Sequence, residues 1–168
     1  MTNLLNILSP FKNYQRIVVR TQSVGDIISG IMFTHNKYKS EYDKIAKQFE
    51  GKTNLQTAKN IFDFLKAHTH YVIESDSKQT LRSPSAILVL GNKKNIGLDC
   101  KSYALFIGGI LDALRRKGKN INWCYRFASY SLFNKLPHHV FVVINPDTKH
   151  EIWVDPVNGV LGQQAITA

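Results

Sequence analysis

Apolar residues early in the chain recur at the spacing of one helical face, in two runs over residues 24–33 and 38–49. This pattern predicts two short helices, the second of which ends before Gly51. A β-prone run over residues 16–20 precedes them, and the pattern leaves open whether it is a strand or an arm. We therefore expect residues 1–50 to form an N-terminal helical extension of the core that follows.

A longer helix is predicted directly after this extension. Thr53 followed three residues later by Gln56 is a capping-box pattern, in which the threonine begins a helix. Apolar residues then follow one helical face, at Leu55, Ala58, Ile61, Phe62 and Leu65. After this helix, the polar stretch 74–80 and the Arg-Ser-Pro turn at residues 82–84 predict a loop.

The polar segment 91–97 also predicts a loop, and Asp99 is a good N-cap for the helix after it. An apolar stripe marks that helix at Tyr103, Ala104, Ile107, Ile110, Leu111 and Leu114. Gly118 follows three positively charged residues and is expected to end the helix. Because Gly108 and Gly109 each cost up to about 1 kcal/mol against alanine inside a helix, we expect another element to pack closely against the backbone there.

Strand patterns replace helical ones in the last third of the chain. Three β-prone runs cover residues 121–130, 139–144 and 151–154, and turn signals at residues 134–137 and 145–148 separate them. Helices followed by an antiparallel meander are the order of an α+β fold. We therefore predict that N-terminal helices pack on a small antiparallel sheet.

Chain length and cysteine number limit the kinds of domain that fit. A chain of 168 residues buries a sizeable core without disulfides or structural metals, and no repeat or linker divides it. We predict one domain over residues 1–168 with its core over residues 54–158. Cys100 and Cys124 are too few for a disulfide framework, which favours a reducing compartment.

The sequence predicts neither a membrane segment nor a bound metal. Its N-terminal apolar residues stop at Pro10, so they form no signal-peptide core, and no apolar run is long enough to span a bilayer. We therefore expect the protein in the cytoplasm, or packaged in a particle assembled there. His68 and His70 diverge on a helix and no Cys or carboxylate cluster joins them, so no metal and no cofactor are predicted.

The charge balance is strongly positive, with 22 Lys and Arg against 12 Asp and Glu and a formal net charge of +10. Such a field favours anionic partners. The positive residues are scattered, however, without the interleaved aromatic residues that stack single-stranded bases. A solvated basic surface is the preferred interpretation, and contact with an acidic protein or with nucleic acid stays open.

The first turn of the helix after Asp99 carries a candidate nucleophile, Cys100. Unpaired backbone N–H groups and the positive end of the helix dipole stabilise a thiolate there. The same N–H groups, including that of Cys100, are suited to hold the oxyanion formed when sulfur attacks an acyl carbon. A lone cysteine on an apolar helical stripe is, however, more often a small core residue.

Two further residues complete a possible triad. His139 begins one predicted strand and Asp155 ends the next, so a hairpin between the two strands brings them together at one end. An imidazole takes and returns the thiol proton, and a carboxylate fixes its tautomer. His138 is an alternative imidazole, and neighbouring strand residues point to opposite faces. Each of these residues alone has an ordinary structural explanation, and only their order along the chain favours a catalytic site.

That order resembles the transglutaminase-like superfamily, in which an Asp-Cys helix start, a His-Val strand start and an Asp-Pro strand end follow one another. The matching residues here are Asp99 and Cys100, His139 and Val140, and Asp155 and Pro156. Gln79 and the Arg-Ser-Pro segment at residues 82–84 resemble a segment of bacterial and phage members, and the likeness covers residues 54–158. Two departures are Leu98 before Asp-Cys and Lys101 after it, where the family often has Gly and an acidic residue.

The resemblance implies a papain-like fold with Cys100 as nucleophile, His139 as acid and base, and Asp155 as the residue that orients the imidazole. Gln79 is implied as a second oxyanion donor. The expected function is cysteine peptidase or amidase chemistry on a protein or peptide substrate, with hydrolysis favoured over transamidation. The alternatives are a non-catalytic structural or binding part of a bacterial or phage assembly and, on charge alone, a nucleic-acid-binding domain.

Overall fold

The computed structural model describes residues 2–10, 15–18, 24–74, 79–129 and 139–163. The helices over these ranges are α1 (Thr2–Ile7), α2 (Val24–Ile45), α3 (Asn54–His68), α4 (Pro84–Gly91) and α5 (Cys100–Arg116), and a 3-10 turn, Ala46–Phe49, follows α2. The strands are β1 (Gln15–Val18), β2 (Gln79–Arg82), β3 (Trp123–Ala128), β4 (His139–Ile144), β5 (Ile152–Asp155) and β6 (Val160–Gln163).

The strands form two antiparallel sheets. A four-stranded meander has the order β3-β4-β5-β6, and β1 pairs with β2 in a separate two-stranded sheet. The predicted α+β class and antiparallel meander are confirmed, with β6 added as an edge strand. The β-prone run near residue 16 is a strand, which the sequence had left open.

Helix α5 lies in the core between α2 and the meander. Its residues from Lys101 to Leu111 are all buried. A helix with a single apolar stripe would bury only one face, so α5 is covered on all sides over this range. On the sheet, Val140, Val142 and Ile144 of β4 face the same core. The helix, its Asp99 cap and its end before Gly118 agree with the sequence prediction.

The two glycines of α5 explain how closely its neighbours approach. A Cβ atom at Gly108 would lie 2.5 Å from the hydroxyl oxygen of Tyr125 on β3. At Gly109 it would lie 2.5 Å from the ring of Tyr42 on α2. The predicted close packing is therefore confirmed, and it occurs on both sides of the helix at once.

The prediction of two short helices between residues 24 and 49 is wrong, because α2 continues through the polar residues that interrupt the apolar pattern. Two of them, Thr34 and His35, are buried and hydrogen-bonded. The Thr34 hydroxyl donates to the Gly30 carbonyl at 2.8 Å, and His35 bonds to the Tyr125 hydroxyl at 2.7 Å and to Asp112 at 3.0 Å. The preceding turn of the helix thus satisfies Thr34, and tertiary partners satisfy His35, at positions that the sequence pattern assigns to a break.

The predicted loop around residues 74–84 is also wrong in part. Residues 79–82 form β2, and Pro84 occupies the first turn of α4. A proline suits the first helical position as well as a turn, and the Ser83 hydroxyl caps the helix by accepting from the Ala86 N–H at 3.3 Å. Helix α3 matches its prediction, since Thr53 accepts from the Gln56 N–H at 3.0 Å.

None of the described helices is both long enough and apolar enough to cross a membrane. The proposal of one domain over the whole chain stays a prediction.

We expect Gly109→Ala to destabilise the protein by about 1 to 3 kcal/mol, because overpacking against the Tyr42 ring outweighs the better helix propensity of alanine. Urea unfolding followed by circular dichroism measures this free energy. The control Lys59→Ala changes an exposed helical position and is expected to stay within about 0.5 kcal/mol of wild type. Equal or greater stability of Gly109→Ala would contradict the packing described above.

Candidate active site

The candidate nucleophile Cys100 lies where the first turn of α5 meets the start of β4. Asp99 caps the helix by accepting from the Ser102 N–H at 3.3 Å. The Cys100 side chain is half-buried, and the backbone N–H groups of Val140, Lys101 and Cys100 itself interact with its sulfur. The cysteine is therefore beside the peptide that joins His139 to Val140.

The net effect of this environment on the Cys100 thiol differs from the sequence expectation. Burial raises its pKa above the ordinary value, the negative charge of Asp155 adds to that rise, and the backbone N–H groups oppose it without outweighing it. The helix N-terminus was expected to stabilise a thiolate, and its N–H groups act in that direction. Desolvation is the larger effect, so the environment favours the protonated thiol over the thiolate.

His139 and Asp155 meet at one end of the β4–β5 hairpin. Their strands pair antiparallel, with Val142 opposite Val154, and His139 Nε2 lies 2.7 Å from Asp155 Oδ2. His139 is 8% exposed and Asp155 is 3% exposed. A buried imidazole and carboxylate at this distance form a strong hydrogen bond that fixes the ring.

Phe141 supports this pair from the same face of β4. Its ring stacks on that of His139 with centroids 5.7 Å apart, and it packs against Trp153 of β5 at 4.9 Å. The histidine is thus held by an aromatic neighbour as well as by Asp155. His138 lies outside the described residues.

Asn158 is a site residue that the sequence reasoning missed. Its side-chain Nδ2 donates to Asp155 Oδ2 at 2.9 Å and lies 3.3 Å from His139 Nε2, and its backbone N–H points to Asp155 Oδ1 at 3.4 Å. Burial raises the pKa of Asp155, but the hydrogen bonds from His139 and Asn158 outweigh it and keep the pKa below its ordinary value. The Asp-Pro-Val-Asn-Gly turn was a signal that could have found this residue.

Gln79 is connected to the site through Lys101. It lies in β2, and its Oε1 accepts a hydrogen bond from Lys101 Nζ. Lys101 Nζ also donates to Asp99 Oδ2, although the lysine is only 3% exposed. The structure therefore brings Gln79 to the start of α5, through a buried lysine that no local sequence pattern indicates.

A buried ionic cluster, made of Glu74, Arg82, Asp99 and Lys101, surrounds this connection. Arg82 donates to Glu74 at 3.2 Å and to the Gly97 carbonyl at 2.9 Å. Burial lowers the pKa of Lys101 to about 8, although the negative charge of Glu74 opposes the shift. The cluster joins residue 74, β2 and the start of α5, which are distant in sequence.

Tyr71 forms an isolated parallel β-bridge with Leu98, two residues before the start of α5. Its pKa is raised by burial and further by the charges of Cys100 and Asp155, although its side chain is 45% exposed. The segment pairs with Leu98, whose N–H donates to the His70 carbonyl at 2.7 Å.

Among the described residues, no three His, Cys, Asp or Glu side chains are grouped to hold a metal ion. Cys124 lies on β3, half-buried and opposite Val143, away from the start of α5.

Comparison of the chain with protein-family models, with curated proteins and with solved structures finds no match in any of the three. The likeness to the transglutaminase-like superfamily consequently rests on the sequence motifs alone. The catalytic roles of Cys100, His139, Asp155 and Gln79 stay predictions.

Asn158→Ala is expected to lower the free energy of unfolding by about 1 to 3 kcal/mol at pH 7, because a hydrogen bond to a charged carboxylate is lost. Because the pKa of Asp155 is lower in the folded state than in the unfolded chain, its ionised form stabilises the fold at pH values above the unfolded-state pKa. This stabilisation is lost as pH falls through the folded-state pKa. The difference between variant and wild type should therefore shrink toward pH 3. Urea titrations at both pH values measure it.

The matched control for that variant is Asn92→Ala, which removes an amide that donates to the His68 carbonyl at 3.1 Å on the surface. Asn92→Ala should lower the free energy of unfolding by less than Asn158→Ala, and by the same amount at both pH values. A loss at Asn158 that is equally insensitive to pH would mean that Asn158 does not act on Asp155.

Alkylation of Cys100 by iodoacetamide is expected to follow a pKa above about 8.5, the value of an ordinary thiol, because burial disfavours the thiolate. Mass spectrometry of the Cys100 peptide across pH measures the rate, and Cys100→Ser removes the signal while leaving Cys124. A midpoint below pH 8 in the curve of alkylation rate against pH would show that thiolate stabilisation by the helix N-terminus exceeds the effect of burial.

Proposed function

We propose that this protein is a cysteine-dependent acyltransferase of papain-like, transglutaminase-like type, which acts on an amide or isopeptide bond through Cys100, His139 and Asp155. The observation that carries the proposal is the 2.7 Å bond between His139 and Asp155, at the start of the strand whose Val140 N–H faces the Cys100 sulfur. Three residues distant in sequence thereby share one small region. Asn158 adds a donor to the carboxylate.

In the first step, Cys100 Sγ attacks the carbonyl carbon while its proton passes to His139. A C–S bond forms, and the carbonyl π electrons move to oxygen, where backbone N–H groups of the first turn of α5 stabilise the charge. Because Nε2 of His139 is bound to Asp155, Nδ1 is the ring nitrogen assigned to proton transfer. A protonated resting thiol suits this order, since deprotonation accompanies attack.

In the second step, the oxyanion re-forms the carbonyl and the C–N bond breaks. His139 returns its proton to the leaving amine, and a thioester remains on Cys100. Water then attacks the thioester carbon and gives up a proton to His139, the C–S bond breaks, and the sulfur recovers the proton. An amine in place of water gives a new amide by the same route.

Hydrolysis is favoured over transamidation on the resemblance to small bacterial members of the superfamily, and the substrate is a protein or a peptide. The place of action proposed is the cytoplasm, or a phage particle assembled there. The positive net charge supports additional contact with an acidic protein or with nucleic acid.

One observation favours the second candidate, a non-catalytic part of a bacterial or phage assembly. The Cys100 thiol has a raised pKa, and a buried, protonated cysteine is a common core residue. In that case the His139–Asp155 pair would only hold the hairpin. The two candidates differ in whether His139 changes the chemistry of Cys100.

Reaction with p-nitrophenyl acetate distinguishes them, because the acetyl group stays on the attacked sulfur as a thioester that mass spectrometry locates. We expect Cys100 to be acetylated faster than Cys124, and His139→Ala to reduce the Cys100 rate about 100-fold or more through loss of the general base. Asp155→Asn should reduce it as well, through the tautomer of His139. Cys100→Ser should abolish the thioester.

Cys124 is an internal control in the same molecule, since its pKa is also raised by burial and it has no imidazole partner assigned. Equal acetylation of both cysteines, unchanged in His139→Ala, would contradict the enzyme and support the non-catalytic candidate.

A further inference from the structure

The side chain of Lys101 folds back toward the start of its own helix instead of extending to solvent. It is 3% exposed, and its Nζ donates to Asp99 and to Gln79, with Glu74 Oε2 at 3.5 Å. A lysine usually keeps its ammonium group in water while its methylene chain lies along an apolar surface. The buried ammonium group of Lys101 is therefore unusual, and Lys101 directly follows the candidate nucleophile Cys100.

Its partners hold the ammonium group in one place. Glu74 accepts from the Thr80 N–H at 2.7 Å and from Arg82 Nη2 at 3.2 Å, so these two bonds hold it independently of Lys101. Asp99 is fixed as the N-cap of α5 by the Ser102 N–H. Lys101 therefore contacts two anchored carboxylates and one uncharged side chain, that of Gln79.

The bond to Gln79 determines which way its amide is oriented. An ammonium group has only donors, so it binds the amide oxygen and not the nitrogen. Gln79 Oε1 accordingly faces Lys101, and Nε2 is the donor end of the amide. A hydrogen bond to a charged donor is about twice as strong as a neutral one, which opposes reversal of the amide.

We infer that Lys101 is a positioning residue of the acyl-transfer site, which holds the Gln79 side chain at the start of α5 so that Nε2 donates to the oxyanion. This inference rests on the proposed function and adds a residue to it. Charge balance in the cluster explains why a lysine is held at this place, since two carboxylates and Arg82 surround it.

A comparison of two reactions at the same sulfur tests the inference. Acetylation by p-nitrophenyl acetate passes through an oxyanion, whereas alkylation by iodoacetamide displaces iodide at a saturated carbon and forms none. The ratio of the two rates at Cys100 therefore reports oxyanion stabilisation and cancels changes in thiolate population. A purely structural role for Lys101 would change both rates together.

We expect Gln79→Ala and Lys101→Met each to lower this ratio by about 100- to 1000-fold, in line with the loss of one oxyanion donor. The double variant should lose no more than either single one, because Lys101 acts through Gln79. Lys101→Arg keeps a charged donor and should retain part of the ratio. Lys119→Met removes a lysine bound to the Gly51 carbonyl at 3.0 Å beyond the other end of α5 and should leave the ratio unchanged.

Wild-type protein offers a second measurement if Lys101→Met does not fold. Lys101 loses its charge as pH rises through about 8, in a cluster whose other facing charges are Glu74, Asp99 and Arg82. The charged donor to Gln79 is then lost, so the wild-type ratio should fall severalfold relative to that of Gln79→Ala between pH 7 and pH 9. Gln79→Ala removes no charge from the cluster and provides the reference at each pH.

Three results would overturn the inference while the proposed function stands. They are an unchanged ratio in Gln79→Ala, multiplied losses in the double variant, or wild-type and Gln79→Ala ratios that run parallel across pH. Failure of the proposed function looks different, because wild-type Cys100 would then show no acetylation beyond that of Cys124.

Discussion

Burial of α5 between α2 and the meander is the constraint on which the other features depend. Two adjacent glycines let Tyr42 approach from α2 and Tyr125 from β3, so the helix is enclosed on opposite sides within one turn. Tyr125 also binds His35, which keeps α2 continuous through its polar middle. The helix axis, and with it the location of its first turn, is set by packing far from Cys100.

The same burial produces the electrostatics of the candidate site. Removal from water raises the pKa of the Cys100 thiol and lowers that of Lys101, in each case favouring the neutral form. Asp155 shows the opposite balance, because hydrogen bonds from His139 and Asn158 exceed the cost of desolvation. Asp155 therefore favours its charged form, whereas Cys100 favours its neutral form.

Much of this arrangement was predictable from local pattern. Asp99 before an apolar stripe indicated the helix start, and the run from His139 to Ile144 indicated a strand with the bounds observed. The approach of His139 to Asp155 followed from a hairpin between neighbouring strands. The errors have a common cause, since His35 and the residues of β2 are polar or mixed in sequence and take their structure from distant partners.

The sequence by itself determined the elements that carry the candidate chemistry, because caps, apolar periods and glycine positions act over a few residues. It also determined the identity and order of Cys100, His139 and Asp155. Only the tertiary structure decided the protonation balance of the thiol, the contact of Asn158 with Asp155, and the burial of Lys101 against Gln79. These depend on desolvation and on side chains far apart in the chain, which no local pattern encodes.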